Sequence, residues 1–162
     1  MSDNITTAST ITARIDGLSD RYLLFKVDDA NYGLPLAMAL EILTIQSITR
    51  LPRVADYVKG IVNLRGKVIP VLDVRSKLGL SERPYDDKTC IIVLDIHEMH
   101  VGLIVDMVSE VVSVTPEQII PPPKTNGVSA TYISSVSQLE DKIVLNLDCE
   151  EFFKNDIEQA RV

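Results

Sequence analysis

An all-β fold, two small barrels sharing one hydrophobic core with a few short helices, is what this 162-residue sequence predicts. Three observations carry that prediction. Val, Ile and Leu are abundant beside only three Phe and no Trp, the balance of a core built from branched aliphatics on pleated strands. About ten short apolar runs are separated by turn signals every eight to twelve residues or so, the spacing of small sandwiches and barrels. The chain also resembles itself. An offset of 75 carries Tyr57, Leu64, Lys67, Leu72 and Asp73 onto Tyr132, Leu139, Lys142, Leu147 and Asp148, and Val68 onto Ile143. An offset of 69 carries Gly33, Leu34, Glu41 and Ile42 onto Gly102, Leu103, Glu110 and Val111. Residues 21–83 and 89–150 therefore read as two diverged copies of one β unit.

Residues 1–20 are polar, hold no sustained period and end in Gly17-Leu18-Ser19-Asp20; they read as a flexible leader with one frayed turn near Ile11–Ile15. Arg21–Val27 is the first strand, and the turn Asp28-Asp29-Ala30-Asn31 returns the chain through Tyr32–Leu36. Ala37–Leu40 has helix-forming composition, Ile42–Ile48 is again β-like, and Leu51-Pro52 marks a corner before a helical turn at Val54–Lys59. Asp73 is placed to cap a two-turn helix, Val74–Leu78, that Gly79 ends. Ser81–Lys88, polar and carrying Pro84, is the joint between the halves. Beyond it, Thr89–Ile96 and Met99–Val105 form a hairpin about His97-Glu98, and Glu110–Val114 is a further strand. Pro116 starts a turn and Pro121-Pro122-Pro123 to Gly127 is an extended connection. Tyr132–Gln138 and Lys142–Leu147 make the last hairpin, and a helix at Asp148–Phe153 precedes a charged tail, residues 154–162.

The most informative stretch runs from Gly60 to Asp73. Two β-type runs meet there at Asn63-Leu64-Arg65-Gly66, where Gly66 supplies the positive φ a tight hairpin needs and Arg65 projects from a rigid platform. Pro70 lacks the N–H of a ladder residue and is expected at a sheet edge or bulge. Glu41, Ala39, Ile42, Leu43, Val62 and Leu64 place further charge and apolar surface near that Arg, a combination that points to an interaction surface.

The totals exclude several function classes. Twenty-three acidic residues against sixteen basic ones give a net charge of −7, with no basic cluster, so nucleic acid is not an expected partner. No apolar run approaches the roughly 20 residues of a membrane helix, and the first residues lack the basic flank and apolar core of a signal peptide. Cys90 and Cys149 each lie inside an apolar run, as reduced core thiols do. The expectation is a cytoplasmic protein without membrane insertion.

Catalytic and metal chemistry find little support. The two histidines, His97 and His100, are three apart in one hairpin turn, where alternation separates them, so no metal site is assigned. A phosphoacceptor receiver domain is the alternative with the most matching residues: Asp28 and Asp29 as its acidic pair, Asp73 at an acceptor strand end and Lys124 beyond it. That fold needs long helices covering a parallel sheet, whereas Gly33 and Pro35 interrupt the segment where the first helix would lie.

The strings Ile48-Thr49-Arg50-Leu51-Pro52 and Tyr57-Val58-Lys59-Gly60-Ile61-Val62-Asn63-Leu64-Arg65-Gly66-Lys67-Val68-Ile69-Pro70-Val71-Leu72-Asp73-Val74-Arg75 resemble the bacterial chemotaxis coupling proteins of the CheW family. Tyr32-Gly33, Glu41-Ile42, Val101–Asp106, Val108–Val111 and Gln118-Ile119 extend the resemblance over about residues 20–153. It implies two five-stranded SH3-like barrels around a shared core, no catalysis and no cofactor. It implies an adaptor joining the cytoplasmic tip of chemoreceptors to the regulatory domain of the chemotaxis histidine kinase CheA, with further copies of the same protein as additional partners. The location it implies is the inner face of the membrane, reached through receptor arrays. By motif position it places Ala39, Glu41, Gly60, Asn63, Arg65, Gly66, Val108 and Val111 in the partner-facing or partner-shaping set.

Overall fold

A computed structural model describes residues 20–122 and 131–160, with side chains of the last helix through Asp156. The strands are β1 (Arg21–Val27), β2 (Ala30–Pro35), β3 (Ala39–Thr44), β4 (Val58–Leu64), β5 (Lys67–Asp73), β6 (Cys90–Ile96), β7 (Met99–Val105), β8 (Met107–Ser113), β9 (Ile119–Ile120), β10 (Ile133–Gln138) and β11 (Ile143–Leu147). The helical elements described in full are single turns at Leu36–Met38 and Pro116–Gln118, the four-residue α1 (Val74–Lys77) and α2 (Cys149–Ala160). Among the described residues no helix is long and apolar enough to cross a membrane.

Two sheets result, ordered β8-β1-β2-β11-β10-β9 and β3-β6-β7-β5-β4. Hairpins β1–β2 and β6–β7 are antiparallel, and each receives a strand in parallel on its second member: β11 beside β2, β5 beside β7. The second sheet closes where Thr49 bridges Ile61, their N–H and C=O groups exchanging hydrogen bonds at 2.9 and 2.8 Å. The first closes where β9, reached from β8 through the Pro116 turn, pairs with β10. Because β9 is a two-residue strand and its counterpart only a bridge, one sheet counts six strands where five were expected. The sheets do not divide the chain at Ser81–Lys88: each takes strands from both sides of it.

One core is common to both sheets. Leu23, Phe25, Val27 and Leu34 of the first sheet pack with Leu72, Ile92, Leu94 and Leu103 of the second, beneath Phe152 and Phe153 of α2. A smaller cluster, Val62, Ile69, Val71, Ile91, Val93 and Ile104, fills the second barrel alone. Lys77 ties α1 to α2. Its ammonium meets Asp156 at 2.6 Å, donates to the Phe152 carbonyl, and lies 4.6 Å from the Tyr57 ring and 4.7 Å from the Phe152 ring. Asp73 and Asp148 enter α1 and α2 alike: Asp73 N–H donates to the Tyr57 carbonyl and Asp148 N–H to the Tyr132 carbonyl, while each carboxylate receives an N–H of the helix it starts.

Several expectations are corrected. Ala39–Leu40 belong to a strand, the helical turn being Leu36–Met38, and no helix forms at Val54–Lys59, where a turn from Ala55 to Val58 leads into β4. β8 starts at Met107, three residues before the predicted Glu110, because its bulge opposite Leu24/Phe25 keeps the ladder with β1 intact. Pro70 lies in a strand flanked on both sides, yet the ladder to β7 begins only at Val71, so its missing N–H falls one residue outside that ladder. The last helix runs to Ala160 instead of ending at Phe153, held by Asp156. Both thiols are free; Cys149 is buried, which pushes its pKa up to about 12. The leader up to Ser19 and the segment Pro123–Gly127, Lys124 included, lie outside the described residues.

Candidate partner-binding surface

The β4–β5 hairpin turns through two residues, Arg65 and Gly66, at φ 53° and 85°. Both central residues in the left-handed region make the tight turn whose twist matches the flanking strands. Glycine adopts it freely; Arg65 does not, and Asn63 supplies the compensation by accepting the Gly66 N–H on its side-chain oxygen at 2.9 Å. The turn thereby aims Arg65 at Glu41 on β3, Nη2 to Oε2 2.8 Å. Since β3 and β4 are the outermost strands of their sheet, this ion pair spans the seam at which the barrel closes. The hydrogen bond from Arg65 is the main reason the Glu41 carboxyl is held below the usual carboxylate range. Leu40 and Ile42 on β3 and Val68 on β5 remain exposed.

Ala39, Glu41, Asn63, Arg65 and Gly66 all lie in this sheet's outer strands and hairpin. Gly60 is buried in β4 at φ 142°, and a Cβ there would lie 2.0 Å from the Thr49 carbonyl oxygen. It shapes the neighbouring corner. Val108 and Val111 are on β8, in the other sheet. Ala39 and Val108, each near the start of its strand, pack against the common core, while Val111 is 45% exposed.

A second seam has the same build. Glu110 on β8 meets Lys142 at the β10–β11 turn, 2.6 Å apart, with Val111 and Ile143 exposed beside them in the chain. Motif position alone singles out only Val111 there. The signal that finds the rest is the internal offset, which carries Glu41 onto Glu110 and Val68 onto Ile143; Arg65 falls on Glu140, so the cation is supplied two residues later by Lys142.

The residues considered for other chemistry are dispersed. His97 meets Glu150 at 3.1 Å and His100 meets Lys67 at 2.8 Å, so the histidines share no ligand. Among the described residues no three His, Cys, Asp or Glu side chains are grouped to hold a metal ion. Asp28 pairs with Arg75 at 3.4 Å, and its N–H is bound by Asp106. Asp73, 5% exposed, spends its two oxygens on Ser76 N–H and the Tyr85 hydroxyl. A receiver's exposed acceptor carboxylate is therefore absent at Asp73, and neither sheet is the parallel sheet such a domain needs.

The CheW-like domain family matches residues 21–156, nearly all of the described chain. The chain belongs to the CheW family. It is 32% identical over 140 residues to the chemotaxis protein CheW of Klebsiella aerogenes, covering 86% of this chain and 84% of that one. With CheW of Bacillus subtilis the identity is 30% over 146 residues, 88% and 92% of the two chains. The crystal structure of the scaffolding protein TtCheW from Thermoanaerobacter tengcongensis superposes with a TM-score of 0.75 at 30% identity, covering 80% of this chain and 88% of that one. The CheW fold thus accounts for the two-sheet arrangement.

Proposed function

We propose that this CheW-family chain is a non-catalytic chemotaxis scaffold that couples the cytoplasmic tips of chemoreceptors to the regulatory domain of the histidine kinase CheA. The observation that carries the reading is the Arg65–Glu41 pair at a barrel seam, flanked by exposed Leu40, Ile42 and Val68. A charged pair ringed by aliphatic surface gives a partner both a hydrophobic anchor and a fixed orientation. Val108 and Val111 contribute from the other sheet, and Asn63, Gly60 and Gly66 act by shaping the hairpin and its corner. Similarity to proteins named for chemotaxis and scaffolding supplies the pathway. The protein works in the cytoplasm, held at the membrane's inner face by the receptors it binds. Individual contacts are modest and an array of them supplies the avidity.

The experiment mixes the purified protein with its cognate kinase and receptor-containing membranes, then reads sedimented protein and kinase ATP turnover. The native chain co-sediments and raises turnover, and Arg65→Ala or Glu41→Ala weakens both about tenfold, which corresponds to about 1.4 kcal/mol. Failure of the folded native chain to bind either partner overturns the reading.

A further inference from the structure

Asn146 and Val71 hold the same place in the two barrels. Each lies in the strand that runs parallel to a hairpin's second member, directly opposite that strand's glycine: Asn146 opposite Gly33, Val71 opposite Gly102. Across the antiparallel ladders the correspondence continues, with Ser135 opposite Asn146 where Gly60 is opposite Val71, and Ser137 opposite Val144 where Val62 is opposite Ile69. The glycines make the room. A Cβ on Gly33 would stand 3.1 Å from Asn146 Oδ1, and one on Gly102 would stand 2.8 Å from Val71 Cγ1.

The contents of these matched places differ in kind. Val62 and Val71 belong to an aliphatic cluster with Ile69, Ile91, Val93 and Ile104. In the other barrel Ser137 and Asn146, 1% and 2% exposed, take those two positions. Asn146 Nδ2 donates to Ser135 Oγ at 2.9 Å and to Ser137 Oγ at 2.8 Å, and its Oδ1 is buried without a donor among the described protein groups. A buried polar network with a member left over stabilises its surroundings less than close-packed aliphatics, because the desolvation of that member is not recovered.

We propose that the barrel made by β1, β2 and β8–β11 is the compliant half of the molecule, opening locally at β10 and β11 much more often than the other barrel opens at β4 and β5, and that Asn146 sets the difference. The Val111 face then stands on a yielding frame and the Arg65–Glu41 face on a stiff one. A partner that binds the yielding face can shift its opening equilibrium, a conformational response confined to one side of the molecule.

Native-state hydrogen exchange on the full chain tests this without any partner, so its outcome is independent of the scaffold reading. After correction for intrinsic rates, amides at Ser137, Asn146 and Leu147 are expected to be at least about tenfold less protected than those at Val62, Val71 and Leu72. Asn146→Val narrows the gap to about threefold or less. In the reciprocal direction Val71→Thr, a small isosteric change, lowers protection at Val62 and Leu72 while leaving β10 and β11 unaltered. Equal protection of the two barrels in the native chain overturns the proposal, as does a gap that neither substitution moves.

Discussion

The Glu41 carboxylate and the Arg65 guanidinium meet at 2.8 Å from opposite ends of one sheet, where the barrel closes on itself. The Arg65 side chain is nonetheless 71% exposed, and a solvent-screened pair of this kind contributes little to folding. Arg65→Ala is therefore expected to leave the urea midpoint almost unchanged while partner binding falls. Asn63→Ala, which strips the Gly66 N–H of its acceptor, costs about 1 kcal/mol in the same denaturation and also weakens binding by loosening the turn. A large stability loss in Arg65→Ala would show that the residue holds the fold and not a partner.

Gly60 and Gly66 separate two roles of glycine in one hairpin. Gly60→Ala puts a methyl 2.0 Å from the Thr49 carbonyl at φ 142°, so backbone must move, and a loss of about 3–5 kcal/mol is expected in chemical denaturation. Gly66 at φ 85° has open space around it, and Gly66→Ala costs only the left-handed conformation, about 1–2 kcal/mol. Equal costs would contradict the close contact at Thr49.

Lys77 and Asp156 are both largely buried and join α1 to α2. Removing one partner strands the other's charge, so Lys77→Ala is expected to destabilise by about 3–5 kcal/mol. Adding Asp156→Ala should cost much less than the sum of the two single changes. Calorimetric melting of the four proteins measures the coupling, and strict additivity would mean that the pair does not interact.

Burial, with the hydrogen bond to Asp156 next in size, pushes the Tyr57 pKa from 10.0 up to about 12. The fold thus prefers the neutral phenol. The stability this contributes is complete below pH 10 and is lost as the pH rises through 12, so urea midpoints should decline over that window. Tyr57→Phe flattens the decline but leaves a remainder, since burial and Asp73 also raise the Tyr85 pKa. An unchanged alkaline slope in Tyr57→Phe/Tyr85→Phe would remove both phenols as its source.

Legibility in the sequence follows how local each determinant is. The hairpins at Asp28-Asp29, Arg65-Gly66 and His97-Glu98 are written in alternating strands and turn residues, and all three form. Asp73 as a helix cap is equally local. The end of α2 is not: Lys154 and Asn155 read as tail, and the Asp156 carboxylate beyond them is bound by Tyr57 and Lys77, brought from elsewhere in the chain. In the candidate surface, Glu41 and Arg65 are identifiable by motif, but their contact across the seam depends on barrel closure. Gly60 is in the motif for its fit against Thr49, a backbone approach that no residue pattern displays. The Glu110–Lys142 pair lies between these cases, hinted at by internal repetition and hidden by the shift of its cation from the position of Arg65.

The interleaving of the sheets also bears on how the chain is made. β1 and β2 leave the ribosome first, yet their sheet needs β8 on one side and β11 on the other, so it stays unfinished until the last strand has emerged. Synthesis that stalls in the Ser81–Lys88 joint would therefore release two hairpins with open edges, the kind of exposed strand that recruits other chains. A cut through the same joint in the finished protein yields two fragments that share both sheets and have to fold as one.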